Sequence, residues 1–204
     1  RELVPKSACG NQFQLYEDVV GKNINGGTLK VSETGPMVAS VTVEKQISQN
    51  SWIKQNISLS AISRRVEFDT EVEWRESHQF LKVEFNWDIV SDHATYEIQY
   101  GAVQRPNHYN TTLDSARFEV CGHKFADLSD AGYGVALLND CKYGYATHGQ
   151  SQRLSLLRSP KGPDAHADMG RHYFKYAVYP HTGYFHASDV VQQAYEFNVQ
   201  LLPR

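Results

Sequence analysis

Nine histidines are the residues of this 204-residue chain best suited to hold a metal, so their spacing decides whether they form a site. Zinc sites built within one chain draw on short motifs such as Cys-x-x-Cys or His-Glu-x-x-His. Neither motif occurs here, so the spacings of His166 from His172 and of His181 from His186 do not complete a standard ligand pattern. The spacing therefore predicts no metal site made of these residues alone.

Cys121 and His123 stand two positions apart, so their side chains share one face if the segment is a strand. A thiolate beside an imidazole is a nucleophile pair in some enzymes. Alternate strand residues point the same way whether or not they react, and a structural cysteine is the favoured interpretation. With Cys9 and Cys141 the cysteines number three, an odd and sparse set that favours a reducing compartment over a disulfide framework.

Four carboxylates, those of Glu67, Asp69, Glu71 and Glu73, occupy every second position of one segment. A glycosidase needs two carboxyl groups about 5 to 10 Å apart across a cleft, and alternation along a strand does not establish that separation. The residues between them are mostly apolar. The pattern predicts a half-buried strand with a wet, acidic face.

A cation on a loop is a further candidate. Arg158 opens a segment that runs to Asp168 and contains Pro160, Gly162 and Pro163. A guanidinium held on a proline-stiffened loop can donate hydrogen bonds to sugar hydroxyls or pair with a partner's carboxylate. On spacing alone, an ordinary surface loop is the simpler interpretation.

Period-two alternation dominates the elements that must position these side chains. Apolar residues alternate with polar ones at 66–74 and 81–89, and we expect these two segments to form an antiparallel pair. Further strands are predicted at 37–43, 53–59, 96–100, 118–121, 135–138, 154–157 and 173–179, and a short helix at 190–197, capped by Ser188 or Asp189. The fold class predicted is all-β, an antiparallel β-sandwich in one domain with few short helices.

Composition excludes several classes of partner. Charged residues make up 21% and the net charge is −3, so no basic face for nucleic acid is expected. No apolar run approaches the ~20 residues that span a bilayer. The chain begins Arg1-Glu2-Leu3, without an initiator Met or a signal-peptide pattern, and is expected to start inside a longer protein.

Twelve tyrosines leave two interpretations open. The simpler one is that they pack between strands, and the sharper one is that they stack on sugars. In the second case the chain is a stand-alone carbohydrate-binding module that uses exposed Tyr109, Tyr133 or Tyr143. A third class of function is assembly of a homo-oligomer.

Several ordered segments resemble the C-terminal part of the family 38 α-mannosidases, in the cytosolic and fungal-vacuolar branch. They are 10–13 (GNQF), 95–101 (TYEIQYG), 105–111 (RPNHYNT), 116–120 (ARFEV), 123–129 (HKFADLS), 132–144 (GYGVALLNDCKYG), 156–161 (LLRSPK) and 168–172 (DMGRH). Together they extend in order from residue 10 to residue 172, over most of the chain.

The resemblance implies a retaining enzyme that removes α-linked mannose from free oligosaccharides or glycans. In that family a divalent metal, zinc or cobalt, and an Asp nucleophile belong to an N-terminal α/β barrel. This chain then contributes most of a galactose-mutarotase-like β-supersandwich, with no catalytic residue of its own. The resemblance nominates Arg158 as the residue that contacts the bound sugar, and it implies a homo-oligomer in the cytoplasm or, after delivery, in the vacuole.

Two departures from the family pattern stand out. After Leu15 to Val19 the family usually continues with Pro and an aromatic-rich stretch, whereas here Val20-Gly21-Lys22 follows at once. The family also extends well past Pro203. The domain, residues 1–204, is therefore expected to be incomplete at both ends.

Overall fold

The computed structural model of the chain describes residues 2–7 and 10–16 as backbone and residues 27–199 with their side chains. Cys9 and the departure after Val19 lie outside these ranges. The described ranges form fifteen strands: β1 (Glu2–Ser7), β2 (Gly10–Tyr16), β3 (Thr28–Thr34), β4 (Val38–Gln46), β5 (Trp52–Ser60), β6 (Val66–Trp74), β7 (Phe80–Asn86), β8 (His93–Ile98), β9 (Gly101–Pro106), β10 (Val120–Cys121), β11 (Phe125–Ser129), β12 (Tyr133–Asn139), β13 (Gly144–His148), β14 (Ser151–Arg158) and β15 (Gly170–Thr182). Helices are α1 (Thr112–Ala116), α2 (Val190–Asn198) and a 3-10 turn, Phe185–Ala187.

The strands form two facing sheets and a separate hairpin. The large sheet has nine strands in the order β3-β4-β5-β6-β15-β12-β11-β8-β9, and the small sheet has four in the order β10-β13-β14-β7. β1 pairs with β2. Every one of these pairings is antiparallel. The prediction of an all-β antiparallel sandwich with few short helices is confirmed.

The predicted pairing of the two most regular strands is wrong. β6 pairs with β5 and β15 in the large sheet, whereas β7 pairs with β14 in the small sheet. Their apolar faces meet across the sandwich instead: the rings of Phe68 and Phe85 lie 5.8 Å apart, centroid to centroid. The polar corner between them carries the chain from one layer to the other. Alternation defines which face of a strand is buried, but not which strand lies beside it.

The main core fills the space between the two sheets. Phe68 on β6 stacks on Tyr176 of β15, with ring centroids 4.8 Å apart. The hydroxyl of Tyr176 accepts a hydrogen bond from Gln55 Nε2 at 2.5 Å, so the phenol is buried with its polar end satisfied. Burial raises the pKa of Tyr176 to about 12, and the hydroxyl therefore stays protonated at neutral pH.

A second core lies under α2, on the outer face of the large sheet. Val190 and Ala194 of the helix pack against Leu138, Ala177 and other side chains of β11, β12 and β15. The predicted helix is confirmed, and Asp189 stands at its N-cap. Its carboxylate does not cap the helix, however, because it accepts the hydroxyl of Tyr179 at 2.8 Å.

Several boundaries differ from the predictions. The strand expected at 118–121 is only Val120–Cys121, and α1 was not predicted although Thr111 and Asp114 form a capping box. Tyr100 lies beyond the end of β8, with φ 59° and a fully exposed side chain. The apolar alternation of 96–100 therefore extends past the strand.

Asp127 and His181 form a buried pair that joins β11 to the end of β15. His181 Nε2 lies 2.7 Å from Asp127 Oδ2, and the two side chains are 2% and 0% exposed. Ser129 Oγ donates to the other carboxylate oxygen at 2.8 Å. A Cβ at Gly134 would lie 2.4 Å from His181 Cε1, so only glycine leaves room for the ring.

Asp127→Ala is expected to lower the free energy of unfolding by about 3 to 5 kcal/mol, because it leaves Nε2 of the buried His181 imidazole without its partner. Urea denaturation measures this loss. Asp92→Ala is the matched control, since that carboxylate is 80% exposed and pairs with a neighbouring histidine. Equal denaturation midpoints for the two variants would contradict the structural role of the Asp127 pair.

Candidate functional site

Arg158 lies on the outer face of the small sheet because a β-bulge in β14 shifts the pairing register by one residue before it. Leu154 and Leu156 alternate inward, and the register with β7 shifts between Ser155 and Leu157. Leu157 is buried as well, so the next residue points outward. Without the bulge Arg158 would continue the inward parity of Leu154 and Leu156.

The guanidinium of Arg158 rests on an aromatic ring. Arg158 pairs with Phe80 across β14 and β7, and its Cζ lies 5.7 Å from the centre of that ring. The ammonium of Lys82 lies 4.4 Å from the same centre. Two cations therefore share one ring, which holds them by cation–π attraction without using up their hydrogen-bond donors.

Glu119 places an acceptor group beside these cations. Its Oε2 lies 3.0 Å from Lys82 Nζ, and Ser155 Oγ donates to its Oε1. A Cβ at Gly144 would lie 2.3 Å from that Oε1, so the glycine makes space for the carboxylate. We call Phe80, Lys82, Glu119, Ser155 and Arg158 the Arg158 patch.

The predicted loop after Arg158 is anchored at its base. Ser159 is fully buried, and its Oγ accepts the indole N–H of Trp74 at 2.8 Å. Asp168 Oδ2 accepts the backbone N–H of Arg158 at 2.7 Å, which closes the loop. Lys161 and Asp168 both have positive φ, 66° and 57°, a conformation that non-glycine residues rarely adopt. The patch is thus held by both sheets.

The structure does not gather the histidines. His172 Nε2 contacts the backbone oxygen of Asp168 at 2.7 Å, while His186 stacks on Tyr184. Where the chain is described, no three His, Cys, Asp or Glu side chains converge as a metal ion requires. These residues therefore do not fit the divalent metal that the resemblance implies.

Neither of the two cysteines that the structure describes has the environment of a nucleophile. Cys121 and Cys141 are both free and exposed, and the ring of His123 packs edge-on against Tyr143. Although Cys141 is exposed as a residue, partial desolvation of its sulfur and the neighbouring Asp140 carboxylate raise the pKa of the thiol to about 11. That thiol is therefore protonated, and unreactive, at neutral pH.

The carboxylates of β6 face outward, as predicted, but each is paired with a cation. Each one contacts a cation, in the pairs Arg65–Glu67, Lys175–Asp69, Arg171–Glu71 and Arg75–Glu73, at 2.7 to 3.5 Å. Such partly exposed pairs add little stability each. They neutralise the acidic face, which lies on an open sheet surface.

The three tyrosines of the sugar-platform hypothesis do not meet. Tyr109 stacks on His148, at the end of β13, whereas Tyr143 precedes the start of that strand. Tyr133 donates its hydroxyl to the backbone of Asp88 at 3.0 Å. Tyr143 and Tyr109 are therefore separated by the length of a strand and form no single stacking surface.

The sequence patterns did not predict that Phe80, Lys82 and Glu119 belong to the Arg158 patch. The outward parity of Phe80 and Lys82 follows from the inward parity of Leu81 and Val83, so that signal was present. Glu119 precedes a strand of only two residues, and its contacts are long-range. No local pattern reveals such a contact.

Three comparisons with known proteins bear on the identity of the chain. Residues 1–166 match the sequence profile described as "Glycosyl hydrolases family 38 C-terminal domain". Alpha-mannosidase 2C1 of Homo sapiens is 48% identical over 219 residues, which cover 99% of this chain and 21% of the human protein. Alpha-mannosidase of Saccharomyces cerevisiae is 55% identical over 166 residues, covering 78% of this chain and 15% of its own length.

A solved structure, that of an alpha-mannosidase from Enterococcus faecalis V583, shares the fold. It superposes with a TM-score of 0.76 at 18% identity, covering 84% of this chain and 24% of that one. The chain thus spans about a fifth of the length of the curated relatives it matches most fully. The family resemblance drawn from the sequence motifs is confirmed, and the chain belongs to the C-terminal domain of the family 38 glycosyl hydrolases.

Proposed function

We propose that residues 1–204 are the C-terminal β-domain of a retaining, metal-dependent α-mannosidase that removes terminal α-D-mannose from free oligosaccharides or glycans. The observation that carries this proposal is the identity of about half the residues, over 99% of the chain, with proteins named alpha-mannosidase 2C1. The divalent metal, zinc or cobalt, and the nucleophile then belong to an N-terminal α/β barrel of the same polypeptide.

Arg158 is the residue of this chain that we assign to substrate binding. Its backbone N–H is bound by Asp168, its side chain rests on Phe80, and no carboxylate of the described residues pairs with its guanidinium. The guanidinium therefore has hydrogen-bond donors available for vicinal hydroxyls of a mannose-containing oligosaccharide.

The proposal extends to place and assembly. The enzyme works in the cytoplasm, from which it can be delivered to the vacuole, and it is a homo-oligomer. None of the helices in the described ranges has the length and apolar character to cross a bilayer. Sedimentation of the full-length protein measures the oligomeric state.

Arg158→Ala in the full-length enzyme is expected to lower kcat/KM for an aryl α-mannoside about 10- to 150-fold, because a hydrogen bond to a charged group contributes about 1.5 to 3 kcal/mol. Arg158→Lys keeps the charge but loses the planar fork, and should recover only part of the activity. Arg171→Ala is the matched control, since Arg171 lies on the outer face of the large sheet. Unchanged kinetics for a folded Arg158→Ala enzyme would exclude substrate contact.

Phe80→Leu tests whether the ring positions Arg158. Loss of an exposed cation–π contact costs about 0.5 to 1 kcal/mol, so we expect a two- to fivefold rise in KM with kcat little changed. Phe80→Tyr retains the aromatic face and should restore the wild-type KM. Identical KM values for the Leu and Tyr variants would show that the ring does not position the guanidinium.

The 204-residue chain by itself is expected to hydrolyse no aryl α-mannoside, with or without added zinc or cobalt. Full turnover by this chain alone would refute the proposed division of the enzyme. Calorimetric titration of this chain with mannose oligomers tests the alternative that it is a stand-alone binding module. Tight binding without the barrel would favour that alternative, and the scattered tyrosines predict none.

A further inference from the structure

Arg105 is a charged residue at an inward-facing position of an edge strand. β9 is the last strand of the large sheet, and Arg105 pairs with Ala94 of β8, which is 1% exposed and belongs to the main core. Directly opposed residues of antiparallel strands share a face, so the arginine side chain enters the space between the two sheets. Arginine is rarely buried there unless a partner balances its charge.

The described residues satisfy only part of this guanidinium. Its Cζ lies 4.9 Å from the ring centre of Tyr96, which is a cation–π contact. Nη1 is buried, however, and in the described ranges no acceptor lies within hydrogen-bond distance of it. A buried donor without an acceptor is costly. Inward-pointing charges protect edge strands from pairing with other chains, but that role requires no buried, unpaired atom.

A small cavity adjoins the guanidinium. Its volume is about 20 Å³, and its lining includes Arg105, Tyr96 and Thr147 together with Arg117 and Phe118, which follow α1. A single water needs about 10 to 15 Å³ of such space, so the cavity holds one occupant of that size and excludes a phosphate, a sulfate or a sugar. An occupant of this cavity is therefore the available acceptor for Nη1.

The charges around the cavity favour an anion over a neutral water. Arg105 and Arg117 contribute two positive charges to the lining, and Asp114 contributes one negative charge. A hydrogen bond from Thr111 lowers the pKa of Asp114, so this carboxyl is ionised at neutral pH. Its Oδ2 is already engaged, because it accepts the Thr111 hydroxyl at 2.7 Å. One positive charge of the described lining is left without a counterion.

The buried phenol of Tyr96 does not supply the missing charge. Burial raises the pKa of Tyr96, so the hydroxyl stays neutral, and it donates to Thr147 Oγ1 at 2.9 Å. A hydroxyl that accepts one hydrogen bond still has its own proton to donate. Thr147 thus offers the cavity a second donor beside Nη1 of Arg105.

We propose that this cavity binds a single chloride ion, held by Nη1 of Arg105 and the hydroxyl of Thr147. A monoatomic anion fits the volume, accepts both donors and neutralises the unbalanced positive charge. The ion would join the edge strand β9 to β13 of the small sheet and to the segment that follows α1. This inference is independent of the proposed function, because it concerns no substrate and no reacting group.

Crystals of the full-length enzyme grown in sodium bromide test the site directly. Bromide substitutes for chloride and scatters X-rays anomalously, so we expect an anomalous peak in contact with Nη1 of Arg105. Crystals grown in sodium gluconate are the control and should show no such peak, because gluconate is too large for the cavity. A bromide crystal in which water, or an oxygen atom from elsewhere in the polypeptide, occupies the cavity would overturn the inference.

Thermal unfolding of the full-length enzyme tests the site in solution. Stepwise replacement of gluconate by chloride at constant ionic strength is expected to raise Tm along a saturating curve, because an ion that binds only the folded state stabilises it. Constant ionic strength keeps the general screening of charges unchanged. A Tm that is the same in both salts would contradict chloride binding.

Two arginine variants locate the chloride response. Arg105→Gln removes the cation and is expected to raise the chloride concentration at half effect about tenfold or more, since a hydrogen bond to a charged group is lost. Arg171→Gln, on the outer face of the large sheet, is the matched control and should keep the wild-type response. Equal chloride responses of the two variants would refute the site. The bromide map decides the question even if Arg105→Gln does not fold.

Discussion

The packing of β6 and β15 against β7 and β14 is the constraint on which the remaining geometry depends. Phe68 stacks on Tyr176 at 4.8 Å and meets Phe85 at 5.8 Å across the sandwich. The indole of Trp74, on β6, donates to Ser159 just after β14, so a polar contact also ties the two sheets. Once the inward residues of β7 and β14 are committed to this core, their outward residues form the Arg158 patch.

Sequence alternation predicted the buried faces well and the strand neighbours poorly. The segments at 66–74 and 81–89 do bury their apolar residues, yet they lie in opposite sheets. A hydrophobic face is satisfied equally by a neighbour in its own sheet and by a facing layer, so periodicity leaves the topology open. The helix over 190–197 was easier to predict from the sequence, because its apolar side chains recur at the helical period and cover a small core.

The candidate site depended on features that local patterns do not contain. The family resemblance nominated Arg158, whereas spacing favoured an ordinary loop. Two consecutive apolar residues, Leu156 and Leu157, interrupt the alternation. Only the pairing register with β7 shows that this interruption turns Arg158 outward. The contact of Glu119 with Lys82 joins residues 37 positions apart, and that of Asp127 with His181 joins residues 54 apart.

β7 separates the Arg158 patch from the main core. Phe80 and Lys82 project from one side of the strand, and Leu81 and Val83 project from the other side into the core. A shift of one residue between β7 and β14 would exchange these two faces, because side chains alternate along a strand. The outward presentation of Arg158 therefore depends on the same register that packs the two sheets together.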